Sequence, residues 1–405
     1  MVNIDGTTDT VITAQSLPTI LIGGPPEAGK SVLTYNLTRE LRRCEIPHYV
    51  FRASADIEGD WFMKGDFDTV CQIQLKVQDY RHWTDKFIEL ACRALSHRYL
   101  PLIVDIGGRP TEADTCIFQK CTHSILLLKD EDEEATRTWR RYSTINKLEP
   151  LAELRSQREG KSILATEESV ITGTITGLER EKRIRGQVFD ALLERVIQLF
   201  SKYPPDELEK FHLANAPIGF VVVHLLEQLH ALAPDTDEWP PDRLQPLLEK
   251  LSAQTAMAVY GRAPNWVYGA LALHAGTQPF HQFDALLGWV APPALQASAS
   301  KQAPQSPISV KQENYTDSYV IHIHPVHNYL DYTEADQLVF PEPPPNLGVI
   351  VTGKLPLWLF TALARFYAQR NAPWIALNDA HENKPVVIYS QVASYPIGTI
   401  LPKLA

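Results

Sequence analysis

A short loop near the amino end constrains this chain more than any other feature. Gly24-Pro25-Pro26-Glu27-Ala28-Gly29-Lys30-Ser31 fits the pattern G-x-x-x-x-G-K-[ST]. An apolar run at residues 18–22 precedes it, and Val32, Leu33, Leu37 and Leu41 follow at helical spacing. The chemistry of the pattern requires that setting: a strand, a glycine-rich turn, then a helix whose first N–H groups meet phosphate oxygens. The loop therefore implies an α/β P-loop NTPase domain with a mainly parallel sheet. Gly24, Pro25, Glu27, Ala28 and Gly29 are expected to cradle the phosphates, with Lys30 neutralising the β- and γ-phosphates and the Ser31 hydroxyl holding Mg²⁺. Residues 102–106 form a second apolar strand carrying Asp105, the expected acidic partner of the metal. Gly108 follows in the arrangement D-x-x-G, where a glycine N–H can sense a γ-phosphate. The expected cofactor is ATP or GTP with Mg²⁺. Asn146-Lys-Leu-Glu149 only faintly matches a guanine-reading motif and reads as a solvated helix, so the purine stays open.

At 405 residues the chain exceeds the usual single domain. Its net charge of −10 argues against long duplex nucleic acid as a partner but leaves room for a small phosphorylated ligand. No apolar stretch is long enough for a membrane span, and the polar start is unlike a signal peptide. Cys44, Cys71, Cys92, Cys116 and Cys121 are odd in number and form no framework, so they read as reduced thiols of a cytoplasmic protein. Cys116 and Cys121 lack the second pair that a zinc site needs.

Strand-like runs at residues 46–51, 100–106 and 124–128 alternate with helical patterns at 83–97 and 187–202. The expected division is a P-loop domain at 1–210, a first repeat at 211–296, a flexible linker at 297–314 and a second repeat at 315–405. Residues 257–272 align without a gap on residues 349–364, sharing Gly261 with Gly353, Pro264 with Pro356 and Trp266 with Trp358. Arg262 and Lys354 keep the charge in both copies. Each copy reads as a strand, a Gly-basic-x-Pro turn and a helix opening on tryptophan, which favours duplication. The two tryptophans read as packing residues, with adenine stacking as the alternative. Asp56, Glu58 and Asp60 could orient a water or a second substrate. The basic run Arg180, Lys182, Arg183 and Arg185 reads either as a solvated face or as a lid.

The second half resembles the CRISPR-associated ring-nuclease family called Csx-three. The resemblance rests on Tyr319-Val-Ile-His-Ile-His, Gly348-Val-Ile-Val-Thr-Gly-Lys-Leu-Pro-Leu-Trp-Leu, Pro373-Trp-Ile-Ala-Leu-Asn-Asp379, and Val386-Val-Ile-Tyr-Ser-Gln before Ile397-Gly-Thr-Ile-Leu. The first half is similar to the AAA-type ATPase domain that accompanies the family, through the Gly24–Ser31 loop, Asp-Ile-Glu-Gly-Asp-Trp, Val-Asp-Ile-Gly-Gly-Arg and Cys-Thr-His-Ser-Ile-Leu-Leu. The resemblance implies two small α/β modules that bind and cleave cyclic tetra-adenylate with Mn²⁺, in a homo-oligomer (dimer or tetramer). Arg262, Lys354, Arg370, His322 and His324 are the expected ring contacts. Asp379, and Asp284 in the first copy, stand at the family's catalytic aspartate. Its catalytic histidine should lie about three residues before Pro373, where this chain has Arg370, and Gly276 stands there in the first copy. His381 and His274 are the expected substitutes. His327 extends His322 and His324 into an H-x-H-x-x-H cluster. Three readings follow: a ring nuclease, a sensor of the ring that gates NTP hydrolysis, and a P-loop kinase acting on a nucleotide or oligonucleotide.

Overall fold

The computed structural model describes residues 12–53, 85–106, 110–112, 115–166, 168–179, 182–236, 238–298, 306–326, 330–379 and 383–404. Asp56, Glu58, Asp60, Cys71, Gly108, Arg180, His327 and His381 lie outside them, and Asp379 is described by its backbone. The chain divides into two compact units, Met1–Ala214 with Ala285–Leu287, and Asn215–Asp284 with Gly288–Ala405.

In the first unit the strands are β1 (Thr19–Gly23), β2 (Tyr49–Ala53), β3 (Leu102–Ile106), β4 (His123–Leu128), β5 (Glu149–Gln157), β6 (Ile163–Thr166) and β7 (Ile171–Thr176). They form one sheet in the order β2-β3-β1-β4-β5-β7-β6. Every pairing is parallel except that of the edge strand β6. β1 and β3 are buried along their whole length, as the central strands of a sheet covered on both faces must be. The helices are α1 (Lys30–Arg43), α2 (Asp85–Ser96), α3 (Thr115–Lys120), α4 (Glu133–Ile145), α5 (Gln187–Phe200) and α6 (Pro205–Ala214). Ile20 and Ile22 face a core with Leu33, Leu37 and Leu41 of α1 and Val188, Leu192 and Val196 of α5. Leu21, one residue out of phase, faces the opposite core with Phe51, Leu95, Phe118 and Trp139.

Several expectations change. The basic run is partly structural: Arg183 donates to Glu40 of α1 at 2.7 Å, and Glu40 is only 4% exposed. Asn36 accepts from the Ile184 N–H at 3.0 Å, tying the same segment to α1. Asn146 caps the end of α4 and Glu149 opens β5, so that stretch is not a helix. Cys92 and Cys116 are joined as a disulfide rather than separate thiols, with Cα atoms 6.2 Å apart. Cys121 is buried in the core, which pushes its thiol up to about 12. Among the described residues no helix is long and apolar enough to cross a membrane.

His48, just before β2, sets a pH dependence. Its Nδ1 donates to the Ile46 carbonyl at 2.8 Å, and its Nε2 is buried without a partner. Burial, helped by nearby Arg42, pushes the ring down from 6.5 to about 4. The folded state therefore holds fewer protons than the unfolded chain between those values. The stability from neutral His48 is complete above about pH 6.5 and is lost as pH falls through about 4, a loss approaching ~3 kcal/mol. A melting series from pH 7 to 4 should fall less steeply for His48→Gln than for the parent. Parallel curves would mean that His48 does not carry the effect.

The second unit contains two sheets of the same design. The first has β8 (Val221–His224), β9 (Met257–Tyr260), β10 (Phe280–Asp284) and β11 (Gly288–Val290), in the order β11-β10-β9-β8. Its helices are α7 (Leu225–Leu232), α8 (Leu244–Lys250) and α9 (Asn265–His274). β12 (Gln296–Ser298) pairs in parallel with β15 (Val339–Pro341). The second sheet has β13 (Ile308–Asn314), β14 (Ser318–Pro325), β16 (Gly348–Gly353), β17 (Trp374–Asp379) and β18 (Lys384–Ser390) in that order, with α10 (Leu357–Ala368) after β16. The stretch read as a linker therefore ends in strand: Ile308–Asn314 pairs antiparallel with β14 along its whole length.

Strand register extends the repeat beyond its aligned segment. Val221 pairs with Met257 and Tyr319 with Val349, so His224 is the counterpart of His322. Phe280 pairs with Met257 and Ile375 with Val349, so Asp284 is the counterpart of Asp379. The repeats also pack on one another. A Cβ on Gly269 of α9 would come 2.6 Å from Leu377 of β17. Thr361 of α10 donates to the Gln282 side chain of β10 at 2.8 Å, and Arg365 donates to the carbonyls of Ala272 and Gln278. Trp266 and Trp358 are 2% and 1% exposed, which makes them packing residues.

Candidate functional site

In the first unit the loop 24–29 leaves the carboxyl end of β1 and enters α1 at Lys30. Gly24 has φ 151°, and a Cβ there would lie 2.0 Å from the Leu127 carbonyl oxygen of β4. Lys30 is 8% exposed; its Nζ folds back to donate to the carbonyls of Gly24 at 2.8 Å and Pro25 at 2.9 Å. Burial pushes its ammonium down to about 8, against the pull of Asp105 and with the push of Lys129. Asp105 is 5% exposed on β3, in register with Ile22 on the adjacent β1. Ser31 is exposed in the first turn of α1.

An anion at this helix start would meet unpaired N–H groups, the positive end of the helix dipole and Lys30. A hydroxyl and a carboxylate fit a Mg²⁺ that keeps water and phosphate oxygens as its other ligands. Two further cations stand at the rim. Arg158, just past β5, pairs with Glu27 of the loop at 3.5 Å, and Lys129 follows β4. Sequence reasoning missed both, because β5 was not legible and the rim is defined by where strands end.

In the second unit the turns carrying Arg262 and Lys354 follow β9 and β16 at their carboxyl ends. Asn265, the first residue of α9, donates from Nδ2 to the backbone carbonyl of Asn378 at 3.0 Å. The first repeat's turn thus reaches the end of the second repeat's β17. His322 and His324 share one face of β14 with Val320, which joins Ile350, Trp374, Ala376, Val387 and the tail residue Leu401 in an outer core. His324 is exposed; burial of part of the ring, His322 and Lys354 together hold it below its ordinary value. His322 lies 3.7 Å from the Glu313 carboxylate.

Two expected residues are not brought to these turns. Arg370 follows α10 at its far end, where it donates to Glu342 at 3.1 Å and to the Phe366 carbonyl and lies 3.5 Å above the Phe366 ring. His274 ends α9 and bonds the Leu251 carbonyl at 3.0 Å, a helix length from the turn that carries Arg262. Both helices start at the carboxyl ends of the strands and run back toward the amino ends, so a residue at a helix terminus cannot join the turn that begins it. Among the described residues no group of three or more His, Cys, Asp and Glu side chains could hold a metal ion.

The second unit is thus a pair of α/β strand-turn-helix modules with basic turns at the carboxyl ends of their strands. Residues 323–402, from within β14 to the tail, match the family model described as CRISPR-associated protein (Cas_csx3). The chain thus carries a CRISPR-associated Csx3 domain. No curated protein matches the chain.

Proposed function

We propose that this chain is a type III CRISPR ancillary protein that binds and cleaves cyclic tetra-adenylate in its second unit and binds a nucleoside triphosphate with Mg²⁺ in its first. The observation that carries the reading is the pairing of a Csx3 domain with a second copy of the same design in one unit. A four-fold ring of phosphates presents equivalent groups to two pseudo-equivalent turns. Arg262 and Lys354 would meet those phosphates through charge-assisted hydrogen bonds. Asp379 ends β17 beside them and is the residue to polarise the attacking group.

A sensor that holds the ring intact is the second reading. The positions of His274 and Arg370, both at the opposite ends of their helices, favour it. The test is to incubate the protein with labelled cyclic tetra-adenylate and Mn²⁺, with and without ATP, and to resolve the products. Arg262→Ala and Lys354→Ala should each weaken ring binding about 10- to 100-fold. Asp379→Asn should bind the ring and yield no linear fragments. Parent protein that leaves the ring intact while the ring stimulates ATP hydrolysis would establish the sensor instead. Labelled phosphate appearing on an oligonucleotide end would establish a kinase.

A further inference from the structure

On the outer face of the second sheet a row of polar side chains crosses three strands. His322 pairs with Thr352 across β14 and β16, and Thr352 neighbours Asn378 on β17. Thr352 is 8% and Asn378 6% exposed. The Asn378 amide donates to Thr352 Oγ1 at 2.8 Å and to Asn383 Oδ1 at 3.1 Å. Both of its N–H bonds are thereby committed, and Asn378 Oδ1 is buried with no partner. His322 Nε2 is buried without a hydrogen bond as well.

The fold does not require this row. By strand register the first repeat places His224, Tyr260 and Phe283 at the same three positions. There the sheet carries aromatic packing, with Tyr260 5.2 Å and Trp289 5.5 Å from Phe283 between ring centroids. A buried acceptor that the sister copy does without, and that no described residue satisfies, is retained at a cost and points to a ligand.

We propose that Asn378, held by Thr352 and Asn383, is an acceptor that reads a hydrogen-bond donor on the bound oligoadenylate. The inference rests on the ring-binding reading above. Because the amide cannot rotate without breaking two bonds, the site takes a donor and rejects a group that only accepts. An adenylate ring offers two such donors, the ribose 2′-hydroxyl and the 6-amino group of adenine. Only the second repeat has this site, so ring recognition is unequal between the two halves of the chain.

The experiment measures the dissociation constant of cyclic tetra-adenylate, of its 2′-deoxy analogue and of the inosine ring that lacks the amino group. The parent protein should bind one analogue about tenfold more weakly than the adenylate ring. Asn378→Leu should bind all three alike. Thr352→Val, which keeps the shape and releases the amide, should lose most of the discrimination even if Asn378→Leu folds poorly. If the ring binds and neither analogue is penalised, the acceptor is satisfied by water alone; the inference falls and the ring-binding reading stands. If no ring binds, both fall together.

Discussion

Lys30→Met is expected to weaken nucleoside triphosphate binding by about a hundredfold while leaving the fold in place. Lys30 is buried, and its ammonium has the carbonyls of Gly24 and Pro25 as acceptors at 2.8 and 2.9 Å. Phosphate oxygens are better acceptors than these carbonyls, because they carry charge. A bound triphosphate would draw the Lys30 ammonium from the two carbonyls to itself. Methionine fills the same volume, needs no partner and removes a buried cation, so the melting temperature should move by no more than about 4 °C. Titration of a fluorescent nucleotide analogue with Mg²⁺ checks the binding. Unchanged affinity in the variant would sink the reading of this loop as the nucleotide site, because Lys30 is the cation that reading places on the β- and γ-phosphates.

Gly353→Ala should strongly destabilise the second unit. Gly353 has φ 150°, and a Cβ there would sit 2.0 Å from the Ile323 carbonyl oxygen. That carbonyl belongs to β14, whose parallel pairing with β16 runs up to Ile323 and Gly353. Neither strand can yield without opening the sheet next to the Lys354 turn. The left-handed backbone adds strain that no side chain relieves. Together these should cost about 3 kcal/mol or more. Calorimetry should show the transition of the second unit falling while that of the first stays. A variant that melts like the parent would mean that this turn has a different backbone path.

The legible parts of this chain are those whose cause is local. β1 and β3 announce themselves as unbroken apolar runs, and the loop between β1 and α1 by its Gly-x-x-x-x-Gly-Lys-Ser pattern. β5 carries Pro150 and alternates charge with leucine, and Ile163 of β6 is 61% exposed, so neither shows the pattern of a buried parallel strand. β13 was hidden for a related reason. It is an edge strand whose Ile308 is buried and whose Lys311, Gln312 and Glu313 are not fully covered, and it follows a run that reads as a linker. The duplication was visible through its Gly-basic-x-Pro turn. The row formed by His322, Thr352 and Asn378 was not, because strand register, rather than spacing along the chain, makes those residues neighbours.

The packing of α9 on the second repeat's sheet has a consequence for how such a protein behaves in a cell. Two modules on separate chains associate by mass action, and at low abundance a growing share of them stands alone. Here the second module is tethered to the first, at an effective concentration fixed by the connecting residues rather than by expression level. Dilution cannot separate them. The tether also lifts a restriction that symmetry imposes, since a substitution in a homodimer alters both halves at once. In this chain Asn378 could become an acceptor while Phe283, its counterpart, became part of an aromatic cluster.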